Sequence, residues 1–385
     1  MKYYSYRPPR LIRDPQGSIH HHKRFRLGKM LMVVVILGVV GVGLVTGIQA
    51  VSQPKDLVRV VVSPESRGNA LISSAVEDKG QLGLMIPFLT TARNDYRIQQ
   101  NPIQALAVGG AATDLNAALE LSAGMSVNFD TGEAYYTYNG QSRLPIASIT
   151  KIMTAMVALD LASLDEQFTV YISATEVEPT VMGVYEGERL TTRELVNASL
   201  LMSANDAAQV LAEGIGLKYG GDSSLFVAAM NEKAKIIGLS NTKFTNPQGY
   251  DDLEHYSTCE DLLVMGRYAM THYPDIVRVV KDKDAVLEQN AHHQKFWLPN
   301  WNMLIGTYPG ADGIKIGNTG NAKHTTLASA SREGKRIMAC VLGADGILKR
   351  DLAAAELLNI GFSRVGVAPY PVSEDLLRTR IKDWY

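Results

Sequence analysis

The chain has 385 residues, 46% of them apolar and 20% charged, which fits a globular protein with room for one large domain or two ordinary ones. The net charge of -1 hides an asymmetry: residues 1–29 carry eight basic side chains against Asp14 alone. The remainder, with 30 basic and 38 acidic residues, therefore stands at -8, a balance that argues against a nucleic-acid partner for the main body. Two cysteines, Cys259 and Cys340, build neither a disulfide framework nor a CxxC metal pair; they read as two small buried residues, with a single bridge as the alternative.

The arm 1–29 includes the run His20-His21-His22, which reads as solvated rather than metal-binding. No charge occurs from Met30 to Pro54, and residues 30–50 are apolar enough and long enough for a transmembrane helix. The preceding cations place the N-terminus in the cytoplasm and everything after residue 51 outside it. Ile48-Gln49-Ala50 is a poor small-x-small cleavage site, so the segment is expected to remain as an anchor in the cytoplasmic membrane. Residues 51–117 mix Pro, Gly, Ser, Gln and Ala with no sustained period, and read as a stalk with one strand candidate at Leu57–Val62.

A folded domain is expected over 118–365. Gly124–Asn128 and Glu133–Tyr138 read as strands around an Asp130-Thr131-Gly132 turn. Apolar residues at helical spacing (Ile152, Met156, Leu159) predict a helix over Ser148–Leu161. Further helices are expected at Thr191–Gly214, Leu225–Ile237, Cys259–Met270 and Asp351–Leu358, with a loop at Asn246–Gly249. Gly313–Lys315, Thr326–Ala330 and Arg336–Gly343 read as strands. Strands at both ends with helices between them predict an α+β fold, an antiparallel sheet carrying helices. The tail 366–385 offers a brief amphipathic helix at Ser373–Tyr385, expected to fray.

Three short patterns carry chemistry. Ser148-Ile149-Thr150-Lys151 puts a serine and a lysine three apart, on one face of a helix. The amine takes the hydroxyl proton if desolvation or nearby cations depress its pKa. Ser203-Ala204-Asn205 interrupts an apolar run with a second hydroxyl and an amide, which suit a proton relay and a carbonyl hold. Lys315-Ile316-Gly317 sets a cation beside a glycine on a strand, which suits an extended anionic substrate. Each pattern alone is weak: taken singly, they are better explained by a capping serine with a solvated lysine, a helix-helix hydrogen bond and a solvated edge lysine. Together, in this order, they form the SxxK, SxN, KxG set of penicillin-binding proteins and β-lactamases.

The chain resembles the D-alanyl-D-alanine carboxypeptidases among the low-molecular-mass penicillin-binding proteins. The likeness spans roughly 119–365 and includes Arg143–Ala155, Met182-Gly183 with Glu186-Gly187-Glu188, Ser203–Ala208, Met230–Lys235, Phe244–Gly249, His255–Thr258 and Gly306–Lys315. It implies a penicillin-binding-protein fold with a helical subdomain and a serine D,D-peptidase. Ser148 is then the nucleophile and Lys151 its base, with Ser203 and Lys315 passing the proton to the leaving D-alanine. Asn205 orients the substrate, Gly317 allows its close approach, and the N–H groups of Ser148 and Asn318 form the oxyanion hole. The implied partners are peptidoglycan peptides ending in D-Ala-D-Ala and β-lactams, with no metal or organic cofactor.

Two departures qualify the likeness. Ile316 replaces the threonine of the family's KTG, whose hydroxyl helps bind the substrate carboxylate, and Lys323 stands where glycine is usual. They leave open a changed substrate terminus, weak activity or an inactive wall-binding scaffold on the same fold; a D,D-endopeptidase is a separate alternative. A class A β-lactamase is disfavoured, because no E-x-x-x-N segment follows Asn205. Too few residues follow Phe362 for the C-terminal β-domain the family often carries.

Overall fold

The computed structural model describes residues 80–90, 94–99 and 120–382. The basic arm with its histidine run, the apolar segment 30–50 and the strand candidate at 57–62 lie outside these residues. No described helix is long and apolar enough to cross a membrane.

Strands β1 (Ala123–Asn128) and β2 (Ala134–Tyr138) form the expected hairpin, with a two-stranded ribbon of β3 (Gln167–Thr169) and β4 (Arg189–Thr191) following. Strands β5 (Asp284–Leu287) and β6 (Phe296–Pro299) make a second ribbon. The long strands are β7 (Ala311–Thr319), β8 (Lys323–Arg332) and β9 (Lys335–Ala344). The main sheet runs β2-β1-β9-β8-β7, antiparallel throughout, which agrees with the expected α+β class.

Both faces of this sheet are covered, which is why Met338–Leu342 reads as an unbroken apolar run. Leu327, Met338, Cys340 and Leu342 turn toward the helical subdomain; Ala328, Ile337, Ala339 and Val341 turn toward a C-terminal helix. The subdomain contains α1 (Lys151–Leu161), α2 (Thr192–Leu201), α3 (Asn205–Lys218), α4 (Ser223–Ile237), α5 (Cys259–His272) and α6 (Pro274–Val280). Helix α1 is buried on every side from Lys151 to Ala158, as expected of a helix surrounded by others. On the opposite face α7 (Ile347–Arg364) lays Leu357, Leu358 and Phe362 against the strands.

Four expectations need correction. First, the single helix over 191–214 is two helices. Thr191 opens α2 with a capping box to Glu194, and the chain breaks at Ser203, whose φ is 64°. A left-handed residue ends a helix, and here the break places the SxN residues on a corner. Second, Cys259 and Cys340 are disulfide-bonded, joining α5 to β9 with Cα atoms 5.6 Å apart.

Third, residues 80–90 and 94–99, placed in the stalk by composition, form a strap on the domain. Met85, Leu89 and Tyr96 enter the core. Thr90 closes over a buried ion pair. Its N–H and hydroxyl donate to Asp160 (3.0 and 2.5 Å), and its carbonyl accepts from Lys233 Nζ (2.5 Å) and the Tyr268 hydroxyl (3.1 Å). Lys233 and Asp160 lie 3.0 Å apart with side chains 0% and 1% exposed. Fourth, the described part of the tail is docked rather than frayed: α8 (Glu374–Lys382) packs through Leu377, which is fully buried beside α7.

Candidate active site

Ser148 sits in a 3-10 turn, Ala147–Thr150, that runs directly into α1. The turn brings Ser148 Oγ to 2.9 Å from Lys151 Nζ. Lys151 is wholly buried, and its amine also reaches Asn205 Oδ1 and the Gln248 carbonyl, both at 2.7 Å. Burial, then the nearby Lys315 charge, hold the Lys151 pKa well below that of a free lysine, and Asp206 offsets them only in part.

Asn205 begins α3 just after the left-handed Ser203. Its side-chain amide donates to the Glu178 carbonyl (2.8 Å), and its own N–H donates to the Thr180 carbonyl (2.7 Å). Asp206 grips the next stretch of the same loop by accepting from the N–H groups of Met182, Gly183 and Val184. One residue pair therefore fixes the loop 178–184 as a wall beside the Lys151 amine. Ser203 is buried on this corner, but Lys151's three bonds do not include it.

Strand β7 forms the opposite wall. A Cβ at Gly317 would lie 2.8 Å from the Ser148 nitrogen and 2.9 Å from the Ala147 Cβ, so only glycine lets the strand edge meet the nucleophile turn this closely. Thr325, across the ladder from Gly317, donates its hydroxyl to the Ile146 carbonyl (3.1 Å) and secures the turn to the sheet. Lys315 is 1% exposed, and its amine donates to the Ile316 carbonyl at 2.9 Å. Burial and the Arg350 charge lower its pKa to about 7. Ile316 is half-buried and pairs with Thr326, while Asn318 is exposed one step beyond Gly317.

Ser148, Lys151 and Asn205 are thus joined by direct hydrogen bonds, Gly317 lies in contact distance, and Lys315 acts on Lys151 through its charge. Three further groups escaped the motif reading. Asp206 pins the loop wall, and its place directly after SxN was the only signal. Arg350, buried in the first turn of α7, is paired in two-pronged fashion with Asp351 (2.7 Å twice). His255 lies behind the nucleophile turn, 2.7 Å from the Thr150 hydroxyl.

A serine hydroxyl against a desolvated amine, with a strand edge beside it, defines a serine acyl-transfer enzyme of the penicillin-binding-protein fold. Residues 111–346 match the model of the D-alanyl-D-alanine carboxypeptidase family, and the chain belongs to that family. It is 34% identical over 271 residues to D-alanyl-D-alanine carboxypeptidase DacF of Bacillus subtilis, covering 69% of this chain and 68% of that one. It is 32% identical over 260 residues to the D-alanyl-D-alanine endopeptidase of Escherichia coli, covering 63% and 78%. Among solved structures, the Streptomyces K15 DD-transpeptidase superposes with a TM-score of 0.59 at 30% identity, over 63% of this chain and 97% of that one. Penicillin-binding protein D2 of Listeria monocytogenes in its ampicillin-bound form does so at 0.53 and 28%, over 63% and 97%.

Proposed function

We propose that the protein is a serine-type D-Ala-D-Ala carboxypeptidase that works on peptidoglycan stem peptides through an acyl-enzyme at Ser148. The observation that carries the roles is the set of three partners around the Lys151 amine. The carbonyls of Asn205 and Gln248 only accept, so a neutral amine spends its two N–H groups on them. Its lone pair is then left aimed at the Ser148 hydroxyl, 2.9 Å away. That is the orientation a general base needs, and the lowered pKa supplies its neutral form.

Lys151 takes the Ser148 proton as the oxygen attacks the carbonyl of the penultimate D-alanine. The N–H groups of Ser148 and Asn318 meet the developing oxyanion; the contact between Gly317 and the Ser148 nitrogen supports their closeness. Ser203 and Lys315 pass a proton to the leaving amine, and Asn205 orients the peptide as well as the base. Lys315, when protonated, is the cation at this end of the cleft, which favours the terminal carboxylate of the substrate and of a β-lactam. By then the Ser148 proton has gone from Lys151 by way of Ser203 and Lys315 to the leaving amine, so Lys151 is neutral again. Water attacks the acyl-enzyme as Lys151 takes its proton, and Lys151 returns that proton to the departing Ser148 oxygen, which frees the shortened peptide.

The same reading puts the domain outside the cytoplasm, held to the cytoplasmic membrane by residues 30–50. The buried Cys259–Cys340 bond supports it, since disulfides persist in oxidising compartments. Protease added to spheroplasts is expected to digest the domain and spare the arm 1–29; a fully protected domain would overturn the placement.

Incubating the full chain with a labelled penicillin tests the chemistry. The expected result is a covalent adduct on the Ser148 peptide by mass spectrometry, absent in Ser148→Ala, together with D-alanine release from a pentapeptide. Folded protein without an adduct points instead to a wall-binding scaffold. Ile316 and the E. coli endopeptidase relative favour a second reading, cleavage of cross-linked peptides. Faster turnover of a cross-linked dimer than of the pentapeptide would select it.

A further inference from the structure

Ala147, immediately before the nucleophile, has φ 50°, a left-handed value that costs energy in a residue bearing a Cβ. Such a conformation persists only where its surroundings impose it. Its carbonyl is held on two sides. A Cβ at Gly249 would lie 2.0 Å from the Ala147 oxygen, so the backbone at 249 presses directly on it. The Thr150 hydroxyl donates to the same oxygen at 2.8 Å.

That donation settles the chemistry behind it. With its proton given to Ala147, the Thr150 oxygen faces His255 Nε2 at 2.7 Å as an acceptor, so Nε2 carries the ring proton. Nδ1 is then free to accept from the Thr245 N–H at 3.1 Å. A one-way chain of hydrogen bonds results, from the Thr245 backbone through His255 and Thr150 to the peptide bond of the nucleophile.

We propose that His255 is a positioning residue for Ser148: in its Nε2–H tautomer it orients Thr150, and through Thr150 it locks the left-handed Ala147 turn that presents the nucleophile. His255 touches no reacting atom; the inference rests on the reading of Ser148 as nucleophile. The ring is 2% exposed and packs edge-on to Phe244. Asp251 and Asp252 from its own loop and Lys151 from α1 are the charges that act on it, and burial outweighs the two carboxylates to hold its pKa down to about 4. The neutral form, with one donor and one acceptor, is therefore the form at work across the ordinary pH range.

The test uses the full-length chain in two arms. In the first, His255→Leu removes donor and acceptor, whereas His255→Gln carries an amide with one of each. The Leu variant is expected to lose about ten- to a hundredfold in the rate of acylation by a penicillin, the scale of a misplaced reacting group. The Gln variant should recover most of that rate, and non-covalent affinity should change little in either. Equal losses in both variants, or a Leu variant as fast as the parent, would overturn the proposal. In the second arm, 15N-histidine spectra of the parent chain, assigned by loss of the signal in either variant, are expected to show an Nε2–H tautomer that is constant from pH 5 to 9. An Nδ1–H signal, or protonation near pH 6.5, overturns it even if neither variant is acylated. This arm needs no catalysis, so a chain without activity would refute the nucleophile reading and leave the relay judged on its own.

Discussion

At position 316 a butyl group on β7, beside Lys315 and Gly317, stands where the resemblance leads one to expect a threonine hydroxyl. A charge-assisted hydrogen bond of the lost kind contributes ~1.5–3 kcal/mol, so Ile316→Thr is expected to raise D-alanine release about tenfold or more. An unchanged rate would show that the bond is not limiting. The neighbouring Lys315 sets a pH limit. Its pKa of about 7 means that the free enzyme loses this charge as pH rises through neutrality. If that charge receives the substrate carboxylate, kcat/KM falls on the alkaline side of about pH 7. Lys315→Arg keeps the charge at all working pH, and its profile should lack the fall. At this scale the sequence displayed Ser148, Lys151, Ser203, Asn205 and Lys315, because each sits in a short motif. Asp206 and His255 lay in segments that carry the likeness and Arg350 in none, but the roles of all three were illegible, since their meaning lies in partners; His255 is 105 positions from Thr150.

Among elements, the strap shows most clearly what local pattern leaves out. Residues 80–99 have no sustained period, so nothing in them announces a buried role. Their burial comes from Asp160 and Lys233, which lie 70 and 143 positions from Thr90. Asp160 is near the far end of α1, the helix that begins with Lys151, so the strap braces that helix from behind. Removing one member of a buried, bonded ion pair costs about 3–5 kcal/mol. Lys233→Met is therefore expected to lower the urea midpoint sharply, while Lys233→Met with Asp160→Leu recovers part of the loss; equal midpoints for the single and double variants would show that the unpaired carboxylate is not the cost. The long strands and α1 were legible because their runs are long and apolar. The break at Ser203 was not, because Ala198–Ala208 keeps helical spacing across it and only the fitted corner reveals the left-handed residue. Three-residue strands such as β3 and β4 are too short to show a period at all.

For the whole molecule, one covalent link joins the two bodies that form the cleft. Cys259 opens α5 in the helical subdomain, and Cys340 lies in β9 at the centre of the sheet. Composition left this bond undecided, because two cysteines among 385 residues are equally well accommodated as small apolar side chains. The bond closes a loop of 81 positions, for which chain entropy alone amounts to about 4.5 kcal/mol. Both sulfurs lie where no water reaches, so the bond resists reductant until the fold opens. The oxidised chain should keep its denaturant midpoint after brief exposure to dithiothreitol in native buffer. It should lose it only when reduced while unfolded, and Cys259→Ala with Cys340→Ala should share the lower midpoint. A midpoint that falls at once in native buffer would mean that the bond is reached from solvent and that α5 separates from the sheet without global unfolding. In that case the cleft walls are not rigidly joined, and the spacing between Ser148 and Gly317 is set by the substrate rather than by the fold.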